Sequence, residues 1–207
     1  MHPPMKTALL SSTFFGPIQW YQKLANYDSV LVEHHDHYQK QTYRNRCIIA
    51  TAQGTQALTV PVERGNDDEV RISNHGAWRR IHWNALTSAY SESPFFEYYA
   101  DDLRPFFERE WHWLYDYNLE ICHTMCQLLD IQPQLNTTAT YEKEGPWDDY
   151  RDIIRPKHPG NDPQYSLLPY YQVFAARHGF LPNLSILDLL FNMGPEGIYW
   201  LINNENK

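Results

Sequence analysis

The sequence predicts an α/β fold: a β-α-β start, a mixed sheet that includes an antiparallel hairpin, and a helix-rich second half. Three observations carry that reading. Apolar runs at residues 6–10 and 28–33 flank a stretch of helical period, the pattern of a parallel strand pair joined by a right-handed crossover helix. Residues 46–52 and 55–63 are rich in β-branched or apolar side chains around Gln53-Gly54, which predicts a hairpin with glycine supplying the positive φ. From Ala77 the apolar period becomes helical.

In chain order, a short strand over residues 6–10 follows a start expected to be disordered, and residues 11–17 turn into a helix over 18–26. Pro17 suits a first helical position. Trp20 and Leu24, with Tyr21 and Ala25 beside them, are expected to face the sheet. The turn SSTFFGPIQ occupies the place of a phosphate-binding loop, with helix amides ahead of it. It has no glycine-rich fingerprint, so a dinucleotide site is not supported.

The second strand is expected over 28–33 and the hairpin over 46–63, then a solvated turn at 66–69 and a short strand at 70–73. Trp78, Ile81, His82, Ala85, Leu86 and Ala89 form one helical stripe. Pro94 opens a second helix, which Pro105 kinks or ends. A third runs over 114–129 with Leu114, Asn118, Ile121, Met125 and Leu128 on one face. Residues 137–141 read as a strand, and the Pro- and Asp-rich stretch 142–169 as a cap on the sheet or a flap.

A chain of 207 residues and 24.6 kDa can bury one substantial core, and no linker divides it. One domain over 1–207 is expected. The 17 Lys and Arg against 25 Asp and Glu leave a net charge of -8, which disfavours nucleic acid and anionic membranes as partners. The opening lacks the n- and h-regions of a secretory signal, and no segment reaches membrane-spanning length. A cytoplasmic location is expected. Cys47, Cys122 and Cys126 are an odd number without a paired framework, so free thiols are expected. Cys122 and Cys126 stand one helical turn apart beside His123, a spacing zinc can use, but no second ligand pair accompanies them.

The candidate site is the stretch VLVEHHDHYQKQTYRNRC, residues 30–47, where an apolar strand ends in ionisable and basic side chains. Loops after strand carboxyl ends carry ligands in α/β sheets. Continued as a strand, the period puts Glu33, His35 and His37 on one face and His34 and Asp36 on the other. Residues 39–62 contain Lys40, Arg44 and Arg46 and no acid, a plausible seat for phosphate or carboxylate. A solvated polar loop accounts for the same residues. Arg151, Arg155, Lys157 and His158 form a second basic cluster, of functional interest if the fold brings it to Lys40.

The ending GFLPNLSILDLLFNMGPEGIYWL carries the most specific signal. Ser185 can cap a helix, Asp188 stands at the capping-box position, Gly194 can end the helix and Pro195 can start the next. With Phe180, Pro182, Asn183, Leu184, Ser185, Ile186, Asp188 and Leu190, this stretch resembles the signature of the WbqC-like family. Phe14, Phe15 and Ile18 match that family's first turn, Lys40, Asn45 and Arg46 its basic loop, and Leu58, Thr59, Val60 and Pro61 its Leu-Thr-Val-Pro strand end. Ser11-Ser12 and His34-His35 stand where the family usually has Gln-Pro and two aspartates. His37 and Tyr43 replace an amide and a tryptophan.

The resemblance implies biosynthesis of bacterial surface polysaccharide of the O-antigen type, with a glycine-transferring role proposed for some members. Two expectations follow. In one, a transferase moves a glycyl or other acyl group onto a nucleotide-linked amino sugar. Lys40 and Arg46 hold phosphate, His35 or His37, with Asp36 beside them, takes the amine proton, and Tyr43, Asn45, Asn183 and Asp188 contact substrate. In the other, the chain is a non-catalytic binding module of a glycan pathway, with a metal at the Glu33, His35 and His37 cluster or no metal at all. The sequence names no cofactor and fixes no oligomeric state; the partner expected is a small molecule such as a nucleotide sugar.

Overall fold

The computed structural model describes residues 5–64 and 69–202. The start ahead of residue 5 and the turn expected over 66–69, apart from Glu69, lie outside the described residues. The architecture is α/β. Strands β1 (Thr7–Ser11) and β2 (Ser29–Glu33) pair in parallel with Leu9 opposite Leu31. Helix α1 (Ile18–Asn26) connects them over the residues the period predicts.

Two further short strands extend this pair. β7 (Leu135–Thr137) lies beside β2, and β8 (Asp148–Asp149) lies on the far side of β1, giving the all-parallel order β7-β2-β1-β8. The stretch 142–169 therefore caps the sheet by supplying its edge. The strand expected over 137–141 falls earlier, because the backbone N–H of Val30 bonds Gln134 and Thr138 turns its own N–H to Val32.

The antiparallel pairing forms separate two-stranded sheets. β3 (Arg46–Thr51) pairs with β4 (Gly54–Thr59), and Gly54 takes φ +116 at the turn, a value that favours glycine. The second arm ends at Thr59, since Val60 gives its N–H to Asn45 and Pro61 has none. β5 (Val62–Arg64) then pairs with β6 (Val70–Ile72).

Helices α2 (Trp78–Tyr90), α3 (Phe96–Leu103), α4 (Pro105–Glu108) and α5 (Leu114–Leu128) follow. Pro105 separates α3 from α4 by opening the latter, where its missing N–H is not needed. On α2 the buried face is Trp78, His82, Leu86, Ala89 and Tyr90. Ile81, expected on that face, is 58% exposed because it stands roughly 100° round the helix from the face's centre. The core joins this face to Phe14, Phe15 and Tyr117, with Phe15 stacked on Phe107 at 5.9 Å.

After α6 (Ala175–His178) the chain ends in α7 (Ile186–Met193), a 3-10 turn over Gly194–Gly197 and α8 (Ile198–Leu201). Ser185 caps α7, its Oγ accepting from Leu187 N–H at 3.3 Å and donating to the carbonyl of Phe15 at 2.7 Å. Gly194 ends α7 at φ +55, and a Cβ there would stand 2.6 Å from the Phe95 ring. The capping box does not form. Asp188 is buried and turns its carboxylate to Tyr90, Tyr170 and Gln172, while the N–H of Ser185 goes to Ile48. Among the described residues no helix is long and apolar enough to cross a membrane.

Candidate functional site

Because β1, β2 and β8 run parallel, the loops leaving them open at one edge of the sheet, where ligands bind in folds of this kind. There they line a small cleft open to solvent. Ser11, Ser12 and Thr13 line it from the end of β1, the loop over 36–44 from beyond β2, and residues 150–155 from beyond β8. Three guanidinium groups stand in this lining: Arg44, Arg151 and Arg155.

The strand period does not continue past Glu33. The chain bends, since the Glu33 carboxylate turns inward and takes the His35 N–H at 2.8 Å and the Thr138 hydroxyl at 2.8 Å on one oxygen. Its other oxygen accepts from Glu142 N–H at 3.0 Å and Arg151 Nη1 at 3.1 Å. Four donors on one buried carboxylate fix the ends of three segments together. They also leave Glu33 no lone-pair direction for a metal shared with His35 and His37. Among the described residues no group of three or more His, Cys, Asp or Glu could hold a metal ion, the Cys122 and Cys126 pair included.

Arg44 is held from its own loop. Nη1 donates to the carbonyls of Asp36 and His37 at 3.2 and 2.9 Å, and Nη2 pairs with the Asp36 carboxylate. Burial, moderated by Glu33 and reinforced by Arg151 and Arg155, lowers the Arg44 guanidinium to about 10, so it stays charged at neutral pH. For Arg151 burial acts downward but the Asp149 carboxylate outweighs it, and the group is raised. On the wall formed by β1, Ser12 Oγ accepts from Asn118 Nδ2 at 3.2 Å, which leaves the serine proton free to be donated. The buried Thr13 hydroxyl has no partner among the described residues.

The residues picked from sequence divide into three groups. Asp36 and Tyr43 line the cleft, and burial pushes the Tyr43 hydroxyl up to about 12. His35, His37 and Lys40 belong to the same loop but stand outside the lining: His35 half-buried with its ring 5.0 Å from that of His34, His37 and Lys40 exposed. Asn45 and Arg46 serve the hairpin, through Asn45 Nδ2 to Val60 carbonyl at 2.8 Å and Arg46 Nε to Thr59 Oγ1 at 3.1 Å.

Asn183 and Asp188 lie outside the lining altogether. Asn183 takes φ +54 and directs its side chain to α1, while Asp188 faces the core. The amides expected to wait for a phosphate at the start of α1 are occupied. Ile18 N–H bonds Leu184 carbonyl at 3.0 Å and Gln19 N–H bonds Asn183 Oδ1 at 3.0 Å.

Two members of the second basic cluster, Arg151 and Arg155, share the lining with Arg44, whereas Lys157, His158 and Lys40 stand outside it; Arg155 Nη2 lies 3.3 Å from Gln39 Oε1. Arg44 belongs to the expected basic loop, Arg151 and Arg155 to the second basic cluster and Ser12 and Thr13 to the turn ahead of α1, but the sequence did not join these three segments into one site. Their traces in sequence are the turn SSTFFGPIQ, the acid-free span 39–62 and the basic run 151–158.

Fold and cleft together define an α/β protein with guanidinium groups gathered at the carboxyl ends of a parallel sheet. The chain belongs to the WbqC-like protein family, whose model matches residues 12–155, from Ser12 to Arg155 of the cleft. It is similar to Uncharacterized protein Rv1507c of Mycobacterium tuberculosis, 27% identical over 227 residues that cover 92% of this chain and 95% of that protein. No solved structure matches.

Proposed function

We propose that the chain is a transferase of bacterial surface-polysaccharide biosynthesis, which holds the anionic part of a nucleotide-linked amino sugar in the arginine cleft and receives on it a glycyl or other acyl group. The observation that supports this is the convergence of Arg44, Arg151 and Arg155 from loops after different strands onto one cleft. Guanidinium donors in a partly dry cleft match phosphate oxygens.

In this reading the acceptor amine attacks the acyl carbon. A carbon–nitrogen bond forms, the bond to the donor's leaving group breaks, and a histidine takes the amine proton. His37 suits that role because the loop that contributes Asp36 to the cleft also carries it, and its carbonyl is tied to Arg44 at 2.9 Å. General-base help of this kind contributes roughly 10² to 10⁴ in rate. Lys40, exposed on the same loop, meets the distal phosphate.

The test is an acyl-transfer assay by mass spectrometry with uridine-diphosphate amino sugars and activated glycine. Turnover lost in His37→Ala with sugar-nucleotide affinity retained supports the transferase. Saturable binding without product in the unsubstituted chain favours a binding module instead, the reading that the pairing of each cleft arginine with a carboxylate also suits.

A further inference from the structure

The three guanidiniums of the cleft are held in unequal ways. Arg151 is 8% exposed and its ion-pair partner Glu33 is fully buried. Its Nε and Nη2 are spent on Asp149 at 3.0 and 2.6 Å. Arg44 is pinned by two backbone carbonyls and by Asp36, all of its own loop. Neither can change partner without a rearrangement of the chain.

Arg155 can. Its side chain is 32% exposed and its partner Asp152 is 81% exposed. The second contact, to Gln39, is long at 3.3 Å and is made to an exposed residue. Its Nε–H is buried and has no partner among the described residues. Nε–H and a neighbouring Nη–H form the planar edge of a guanidinium that two oxygens of one oxyanion fit.

We infer that Arg155 is the residue that takes the ligand's oxyanion, a phosphate or a carboxylate, by exchanging Asp152 for it. Arg44 and Arg151 stand as fixed charges behind. This rests on the reading of the cleft as an anion site. Asp152 is then a tethered competitor: it occupies the guanidinium when the cleft is empty and is released to solvent when an anion arrives. Exposed ion pairs contribute little to stability, so little opposes the exchange. The arrangement sets a sign that a merely structural pair does not share. Removing the Asp152 charge tightens anion binding and leaves the fold as stable as before.

The experiment titrates the full chain with inorganic phosphate and, separately, with acetate, at an ionic strength held constant with sodium chloride. Unsubstituted protein, Asp152→Asn, Arg155→Gln and Arg155→Lys are compared, with unfolding midpoints measured alongside. The expected result is binding about 1.5- to 5-fold tighter in Asp152→Asn, from the loss of a competitor of exposed-pair strength. Binding about 10-fold or more weaker is expected in Arg155→Gln, and an intermediate loss in Arg155→Lys, which keeps the charge without the fork. Preference for phosphate over acetate assigns a phosphoryl ligand, and the reverse a carboxylate. Saturable binding that neither Asp152→Asn nor the Arg155 variants change overturns the exchange while leaving an anion site in place. Absence of saturable binding in both the unsubstituted protein and Asp152→Asn overturns the anion site as well.

Discussion

Asn183 caps a helix 164 positions earlier in the chain. Its Oδ1 accepts the backbone N–H of Gln19 at 3.0 Å and its Nδ2 donates to Gln19 Oε1 at 3.1 Å. Pro17 leaves α1 without a side-chain cap of its own, so the orphan donors of its first turn are met from outside. The same turn gives the Gly16 carbonyl to Ile186 N–H at 2.9 Å and the Phe15 carbonyl to Ser185 Oγ. The starts of α1 and α7 thus satisfy each other.

Capping of this kind is worth roughly 0.5 to 2 kcal/mol per residue. Ser185→Ala and Asn183→Ala are each expected to lower unfolding stability by that amount. Asn183→Gly should fall between Asn183→Ala and the unsubstituted chain, because glycine accepts φ +54 without strain. Denaturant midpoints check this, and unchanged midpoints in both alanine variants would remove the mutual cap.

Glu33→Gln separates position from charge. With four donors on its two oxygens, an amide at either place faces two N–H or O–H groups. The buried ion pair to Arg151 is lost as well, and breakage of such a pair costs on the order of 3 kcal/mol. Removal of a negative charge near the cleft would by itself strengthen anion binding. Weaker phosphate binding is expected nonetheless, since Arg151 and the segment up to Arg155 lose their anchor. Tighter binding in a folded Glu33→Gln would show that charge outweighs position.

His82 makes stability depend on pH. Burial lowers its imidazole to about 4, against a backbone hydrogen bond with Thr59 that acts the other way. The folded chain therefore favours the neutral ring, while the unfolded chain takes up a proton near 6.5. Stability is fully present above pH ~6.5 and falls as the pH drops from there towards 4, by on the order of 3 kcal/mol. His82→Leu should flatten that part of the curve in denaturant titrations from pH 4 to 7.5. An equal slope in both proteins would assign the acid sensitivity to other groups.

All three cysteines are free and buried. Burial pushes the Cys47 thiol up to about 12, and the hydrogen bond to Cys126 together with burial raises Cys122. Ellman's reagent is expected to label none of them in the native protein and three in denaturant. Prompt labelling of a native thiol would mean that the helix carrying Cys122 and Cys126 opens locally.

Local signals led to local structure. Helix α1 was legible residue for residue, because Trp20, Tyr21 and Leu24 recur on one face between two apolar runs. The cap at Ser185 and the stop at Gly194 follow from near neighbours in the same way. The cleft was legible only in part. Asp36 and Tyr43 belong to a loop that ends a recognisable strand, but Arg151 and Arg155 reach it through β8, a two-residue strand with no period to detect. Glu33 looked like the first member of a strand face. Its bonds to Thr138 and Arg151 span 105 and 118 positions, and nothing periodic marks a partner at that distance. Asn183 and Asp188 stood out for their neighbours, yet their side chains serve α1 and the core.

The mutual cap also orders events during synthesis. The β1-α1-β2 unit leaves the ribosome before the segment that caps it, so the first amides of α1 lack their partners until Leu184 and Asn183 have been made. Contacts this far apart in sequence close late, because the loop between them must first be ordered. The nascent chain thus carries an incomplete β1-α1-β2 unit while the 164 positions from Gln19 to Asn183 are made, and the segment around Asn183 acts as the latch that completes it.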